Sequence, residues 1–415
     1  MRVRHTYDRD IFIVSAARTP IGRFEGILKP YSALQLGGRA IAAALEQGGV
    51  DPAAIELGTL GFVVSPGQGM APAKAALIAA GVPPTVPNRT VETVCGSAAD
   101  AIAITADQLA LGVVHLAVAG GMESRTNAPY LLGPRFIRNS GDFTRGGRLR
   151  MKRAGAYRFA LEGEVEAQLG ATEILDATSF DGLFWVGERK FMREYALMFA
   201  KAQGHTVSQI NALAAESHAK AWRATEQGLF KPELAPLEGA PADQLMTPEA
   251  QAAELEKNPD DIASAYNASS PADGAAALVL ADAEGVRTHH LTPIARLLGY
   301  CRKDVPAADF LVAPVEAACE LMAALKAEGK VSGDFTIAEA NEAFGVQIPY
   351  FQEHLPGMDL NVHGGAVALG HPLGAAGARI TTTLIHAMRR YGHRYGVSCL
   401  CYGGGGGYAL AVEAL

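Results

Sequence analysis

Short apolar runs alternate along this chain with longer, alanine-rich stretches whose hydrophobic positions recur at helical spacing. Residues 11–17 are the first run, rich in β-branched side chains, and predict a buried strand. Residues 33–47 have helical periodicity, residues 59–64 predict a second strand closed by Ser65-Pro66-Gly67, and residues 71–80 predict a helix ended by Gly81. Residues 91–95 read as a strand feeding Cys95, with a small-residue helix from about Ser97; residues 116–124 are the next strand. The texture changes over 125–262. There a helix is predicted over 207–225 with Ser208 as a possible cap, and residues 232–261, polar and punctuated by proline, predict loop. The strand pattern returns at 272–282. Residues 293–300 then begin what reads as a second copy of the first layer, with a helix over 315–326 and a strand over 335–340. The chain ends in two apolar strands flanking Gly403 to Gly407, a hairpin whose tip must let something come very close.

Alternating strands and helices predict the α/β class. The two halves share element order, without strong sequence identity. The expected organisation is an N-terminal half (1–124 with 263–285), an inserted loop domain (125–262) contacting ligand and partner subunits, and a C-terminal half (286–415).

At 415 residues the chain exceeds one ordinary core. A net charge of −7 without a charged tail gives no reason to expect nucleic acid as a partner. No apolar stretch is long enough to span a bilayer, and residues 1–10 lack a signal-peptide core, so no membrane partner and a cytoplasmic location are expected. The five cysteines, Cys95, Cys301, Cys319, Cys399 and Cys401, are scattered and odd in number, which suggests a reducing compartment rather than a disulfide framework. Their spacing suggests no metal site.

Four features carry potential chemistry. Residues 361–380 surround His371 with small residues, Pro372 fixes the turn, and 374–378 reads as the start of a tightly packed helix. An imidazole on a rigid glycine-lined turn suits acid–base chemistry; the alternative is a packing turn. Cys95 at a helix N-terminus would have its thiolate favoured by the macrodipole; the alternative is a buried structural cysteine. Asn341, opening Asn-Glu-Ala-Phe, and Cys401, before the glycines, complete the set. Separately, Arg135, Arg138, Arg145, Arg148, Arg150, Lys152, Arg153 and Arg158 face a single acid, Asp142. That run is either a solvated surface or a docking face for an anionic ligand.

In this order and spacing, Ile13-Val-Ser-Ala-Ala-Arg-Thr-Pro-Ile-Gly, Val94-Cys-Gly-Ser, Gly120-Gly-Met-Glu-Ser, Asn341-Glu-Ala-Phe, Gly370-His-Pro-Leu-Gly and Cys401-Tyr-Gly-Gly-Gly resemble the thiolases, the acyl-CoA:acetyl-CoA C-acyltransferases, over nearly the whole chain. The resemblance implies a thiolase-like fold of two similar α/β halves in a layered core. It implies cleavage of 3-ketoacyl-CoA by CoA, or the reverse Claisen condensation, through an acyl-cysteine. On that resemblance Cys95 is the nucleophile, His371 takes its proton, and Cys401 is the acid–base at the acetyl α-carbon. Asn341 with His371 would form one oxyanion hole, and the backbone N–H groups of Cys95 and Gly403 the other. Ser269, Phe344 and Met192 would contact pantetheine. Coenzyme A and acetyl-CoA would be substrates, with no permanently bound cofactor, and a homodimer or homotetramer with a place in fatty acid metabolism is implied.

Departures fall where substrate is chosen. The 133–178 region is longer than the usual loop domain and holds the basic cluster, the segment before Ser269 lacks the usual pattern, and Phe191-Met-Arg and Phe310-Leu-Val-Ala-Pro differ from the usual turns. Two rivals remain: a condensing enzyme on an atypical acyl acceptor, and a non-catalytic acyl-CoA-binding subunit. The second cysteine, Cys401, argues against the first, and retention of both Cys95 and Cys401 argues against the second.

Overall fold

The structure is a computed structural model in which residues 2–132, 151–153, 159–161 and 174–415 are described. The basic stretch from Arg135 to Arg158 lies outside them, except for the backbone of Met151–Arg153.

Ten strands build the principal sheet: β1 (Arg2–Arg18), β2 (Leu57–Gly61), β3 (Asn88–Val91), β4 (Leu116–Ser124), β5 (Ala272–Ala281), β6 (Ala295–Asp304), β7 (Ile337–Ala340), β8 (Asp359–Leu360), β9 (Tyr395–Tyr402) and β10 (Gly406–Ala414). A short strand, Gly22–Arg23, pairs with β5 at its side. Their spatial order is β8-β7-β9-β10-β6-β1-β5-β4-β2-β3. Cut between β6 and β1, each half therefore has its third, second, fourth, fifth and first strand side by side in that order. The directions match as well: β2 is parallel to β3 and β4, as β7 is to β8 and β9, and the remaining neighbours are antiparallel. The halves join through the antiparallel β1–β6 pair. The duplication is one of topology, as the element order predicts.

Alternating side chains sort into separate layers because a strand presents them to opposite faces. Leu278 and Leu280 of β5 join a central cluster with Ile102 and Ile380, whereas Ala277, Val279 and Ala281 pack with Leu36, Ile41 and Leu77. In the other half Leu400, Leu410 and Val412 face the centre, while Val397, Cys399 and Ala411 pack with Val315, Leu321 and Leu325. Helices α1 (Ala33–Gly48) and α2 (Pro72–Ala79) thus cover one outer face and α6 (Ala313–Ala327) the other. Between them lie α3 (Ser97–Ala110) and α7 (Ala376–Tyr391), packed on each other and on strands of both halves. Burial on both faces explains why the strands read as continuous apolar runs rather than alternating ones.

The central helices begin unusually close to the strands. A Cβ on Gly121 would overlap the carbonyl oxygen of Gly374, so both motifs need glycine for close backbone approach.

The intervening segment contributes α4 (Met192–Gln203) and α5 (Val207–Glu226). The cap of α5 is Thr206, whose Oγ1 accepts from the Gln209 amide at 3.2 Å, not the suggested Ser208. The loop expected over 232–261 contains a helix, Pro248–Lys257, begun by Thr247 and a proline at its first turn. Arg18 ties this segment to the core. It is fully buried, donates from Nε to Glu233 at 2.7 Å and grips Asp243 with both Nη atoms at 2.7 and 2.9 Å. Among the described residues no helix is long and apolar enough to cross a membrane.

Candidate active site

The parallel strands of an α/β layer present their carboxyl ends on one side, where loops converge and ligands bind. Here that side carries the residues singled out by the motifs. Cys95 follows β3 and precedes α3; His371 follows β8 and precedes α7, the equivalent place in the other half. Asn341 follows β7, and Cys401 lies at the end of β9. Packing α3 against α7 brings the two loops together. Cys95, His371, Cys401, Gly403, Ser269, Phe344 and Met192 all line one cavity of about 520 Å³. Asn341 is fully buried and is not among the lining residues.

A strained turn presents Cys95. Val94 has φ 47°, which is rare for a β-branched residue. The Ser97 hydroxyl holds it, accepting from the Thr93 amide at 2.8 Å and donating to the Val94 carbonyl at 2.6 Å. Backbone N–H groups of Cys95 and Gly403 are directed at the Cys95 sulfur. Of the two alternatives for this thiol burial prevails, pushing it up to about 12, more than Arg125 and those N–H groups lower it.

His371 is buried, and neither ring nitrogen has a partner among the described residues. Burial, reinforced by Arg125 and Arg379, holds its imidazole down to about 3, so it is neutral and able to accept a proton. Its amide donates to the Ser270 carbonyl at 2.9 Å, and Gly370 before it has φ 96°. Asn341 accepts from Arg379 Nη2 at 3.2 Å through Oδ1, while its Nδ2 is buried without a partner. Glu342, beside it, organises the His371 loop. It accepts from the Ser217 hydroxyl at 2.7 Å, Asn361 Nδ2 at 2.8 Å and the Val367 amide at 3.2 Å.

Cys401 is buried, and burial together with the neighbouring Cys95 raises its thiol. Gln347 Nε2 approaches its sulfur at 3.6 Å and also donates to the Leu311 carbonyl at 3.1 Å. Tyr402, the next residue, is locked by its hydroxyl donating to Asp304 at 2.6 Å. The Ser269 hydroxyl donates to the Ala343 carbonyl at 2.8 Å.

The glycine run is only partly a ligand surface. Gly403 and Gly404 line cavities, but Gly405, at φ 115°, leaves no room for a Cβ beside the Val305 carbonyl. What approaches the distal part of the run is the protein's own backbone. Cys399 packs against the outer helix, Cys301 is core, and Cys319 is half-buried with its thiol directed at the His354 carbonyl at 3.5 Å. His363 pairs with the Tyr391 hydroxyl at 3.1 Å and does not line the cavity.

Two further groups, Gln347 and Arg125, escaped the motif reading, and Glu123 lies inside Gly120-Gly-Met-Glu-Ser without having been given a role. Burial raises Glu123 to about 7 while it accepts from the amides of Gly374 at 2.9 Å and Val64 at 3.2 Å, joining the His371 loop to the loop after β2. The only sequence signal for Gln347 and Arg125 was a polar side chain near a small-residue stretch, whereas Glu123 stood in a motif.

Residues 11–284 match the thiolase N-terminal domain and residues 291–414 the thiolase C-terminal domain. The chain is 36% identical to the acetyl-CoA acetyltransferase of Escherichia coli (strain K12), covering 98% of this chain and 100% of that protein. To the mitochondrial acetyl-CoA acetyltransferase of Homo sapiens it is 32% identical, covering 98% and 91%. Its fold is similar to that of the Acat5 thiolase from Ascaris suum in complex with coenzyme A, at TM-score 0.82 and 33% identity, with 98% and 100% covered. It is also similar to human mitochondrial 3-ketoacyl-CoA thiolase in complex with CoA, at TM-score 0.83 and 29% identity, with 100% of each chain covered. With both halves matched over nearly the full length, the chain belongs to the thiolase family.

Proposed function

We propose that this acyltransferase cleaves 3-ketoacyl-CoA with CoA, or runs the reverse condensation, through an acyl group on Cys95. One observation carries the assignment of roles: two thiols and a neutral imidazole with unpartnered nitrogens share a single cavity. In the cleavage direction His371 takes the Cys95 proton as the sulfur attacks the 3-keto carbon. Backbone N–H groups of Cys95 and Gly403, or His371 with a group held by Asn341 Nδ2, stabilise the oxyanion; such donors contribute about 3–4 kcal/mol each. The C2–C3 bond breaks, and the acetyl-CoA enolate takes its proton at C2 from Cys401. Incoming CoA gives its thiol proton to the Cys401 thiolate and attacks the acyl carbon. Cys95 leaves and recovers its proton from His371, so the enzyme returns to its starting state.

CoA enters along the wall formed by Ser269, Phe344 and Met192. We read 1–124 with 263–285, and 286–415, as the two halves of a cytoplasmic homo-oligomer, with 125–262 as the inserted unit contacting CoA and the partner.

The test is acetoacetyl-CoA with CoA, followed by loss of enolate absorbance. Turnover with an acetyl adduct on Cys95, both abolished by Cys95→Ser, is expected. Tight CoA binding without turnover of any 3-ketoacyl-CoA refutes the mechanism and leaves a binding subunit.

A further inference from the structure

Arg125, the first residue after β4, lines the same cavity as Cys95 and His371 and is only 3% exposed. Its placement is chemically incomplete. Nη2 donates to the Thr178 carbonyl at 2.9 Å, and the Thr178 hydroxyl returns a bond to the Arg125 carbonyl at 2.9 Å. Nε is buried with no partner among the described residues. Buried guanidinium groups are ordinarily paired with carboxylates, because burial of an uncompensated charge is expensive. Among the described residues, no carboxylate forms a salt bridge to Arg125. The nearby buried acids are committed elsewhere: Glu123 accepts from backbone amides of Val64 and Gly374, and Asp273 from the amide and hydroxyl of Thr126. Most of the remaining wall is apolar, with Leu183, Met192, Phe310, Phe344 and Leu373, and its two other charged residues are already engaged, Arg193 with Asp261 at 2.6 Å and Glu194 with the Phe191 amide at 2.7 Å. A pocket of this composition suits an aliphatic chain ending in one negative charge, with a planar fork placed to bind it.

We propose that Arg125 binds a carboxylate at the far end of the acyl group, so that the preferred substrates are CoA thioesters of dicarboxylic acids. This rests on Cys95 carrying that acyl group. The bond changes are those of the thiolytic cycle; the distal carboxylate takes no part in them and only fixes the chain.

The test compares pairs of equal length in the Cys95→Ala protein: succinyl-CoA against butyryl-CoA, glutaryl-CoA against pentanoyl-CoA, and adipyl-CoA against hexanoyl-CoA. At least one carboxylated member binds about 100-fold more tightly than its uncharged partner, because the uncharged chain leaves the buried guanidinium without its ion pair. Arg125→Met removes that difference, and Arg125→Lys, which keeps the charge without the fork, restores part of it. Equal or weaker binding of every carboxylated member in the unsubstituted-Arg125 protein overturns the proposal, whether or not the Arg125 variants fold. So does a uniform loss across all six ligands in Arg125→Met, joined to a displaced pH profile for alkylation of Cys95 when Arg125→Met is made in the protein that retains Cys95, since Arg125 would then serve the thiol. Acetoacetyl-CoA cleavage by the wild-type protein separates the two levels: if it proceeds while uncharged acyl groups are preferred, only the carboxylate inference fails.

Discussion

Removing one hydroxyl, in Ser97→Ala, tests whether the turn before α3 is what makes Cys95 reactive. Ser97 is fully buried and makes two bonds, to the Thr93 amide at 2.8 Å and the Val94 carbonyl at 2.6 Å. The Val94 carbonyl keeps the Ser97 amide at 3.1 Å, so the substitution leaves chiefly the Thr93 N–H without a partner. An intramolecular hydrogen bond contributes about 0.5–1.5 kcal/mol, and an orphaned donor costs about 1–3 kcal/mol when buried. Thr93 is half-buried, so the loss falls near about 1–2 kcal/mol. That matches the strain of about 1–3 kcal/mol stored in a residue held at an unfavoured φ, here Val94 at 47°. Without the hydroxyl the turn relaxes and Cys95 moves. A displacement of about 1 Å at a reacting centre costs about 100-fold in rate. Single-turnover acylation by acetoacetyl-CoA, read by mass spectrometry of the Cys95 peptide, should slow by that factor, and urea unfolding should show the stability loss. Glycine adopts positive φ without strain, so Val94→Gly in the Ser97→Ala background should recover most of the rate. Acylation at the wild-type rate in Ser97→Ala, or no recovery with glycine, would show that the strained turn does not position the thiol.

Two further outcomes follow from the electrostatics of the cavity. Burial holds His371 down to about 3 against 6.5 in the open chain, so between those values the unfolded state binds a proton that the folded state refuses. Stability should therefore fall as pH drops below about 6.5, by up to about 1.4 kcal/mol per unit. His371→Asn should flatten that slope in urea titrations from pH 4 to 7, and an unchanged slope would assign the acid sensitivity to other groups. Gln347→Leu removes the donor that meets Cys401 at 3.6 Å. Deuterium exchange into the acetyl C2 position should slow by about 100-fold while Cys95 acylation proceeds, the low end of the range for a positioned acid–base; equal slowing of both would mean that Gln347 supports the whole cavity.

How much of this was readable in the chain depends on what kind of physics each feature expresses. The layered architecture was legible because burial on both faces of a strand and periodicity along a helix write themselves into local composition, as in 116–124 and 33–47. Cys95, His371 and Cys401 could be singled out only through the resemblance, since locally each is one reactive side chain near a glycine, Gly96, Gly370 or Gly403, and what the fold adds is that all three line one cavity. Arg125 and Gln347 were not legible, since nothing local says that one polar residue at the end of an apolar stretch turns inward. The cap of α5 slipped by two residues for a milder reason: Thr206 and Ser208 carry the same hydroxyl chemistry, and only backbone geometry decides between them.

The sequence left the acidity of Cys95 open, and magnitude decides it. A helix N-terminus favours an adjacent anion by about 0.3–2 kcal/mol, whereas full burial can shift a group by about 3–5 pKa units, several kcal/mol at 1.36 kcal/mol per unit. The local dipole argument has the right sign and loses to a term that only the folded chain reveals. The consequence reaches the chemistry. A thiol pushed up to about 12 is not a standing thiolate at neutral pH, so its proton has to move as the sulfur attacks. In the proposed mechanism the base that takes it is the neutral His371, which lines the same cavity with no partner among the described residues. Burial thus does opposite things to the two groups, keeping the proton on the sulfur and off the imidazole until a carbonyl is present. It also confines the charge-separated pair to the moment when the oxyanion donors of the site are engaged.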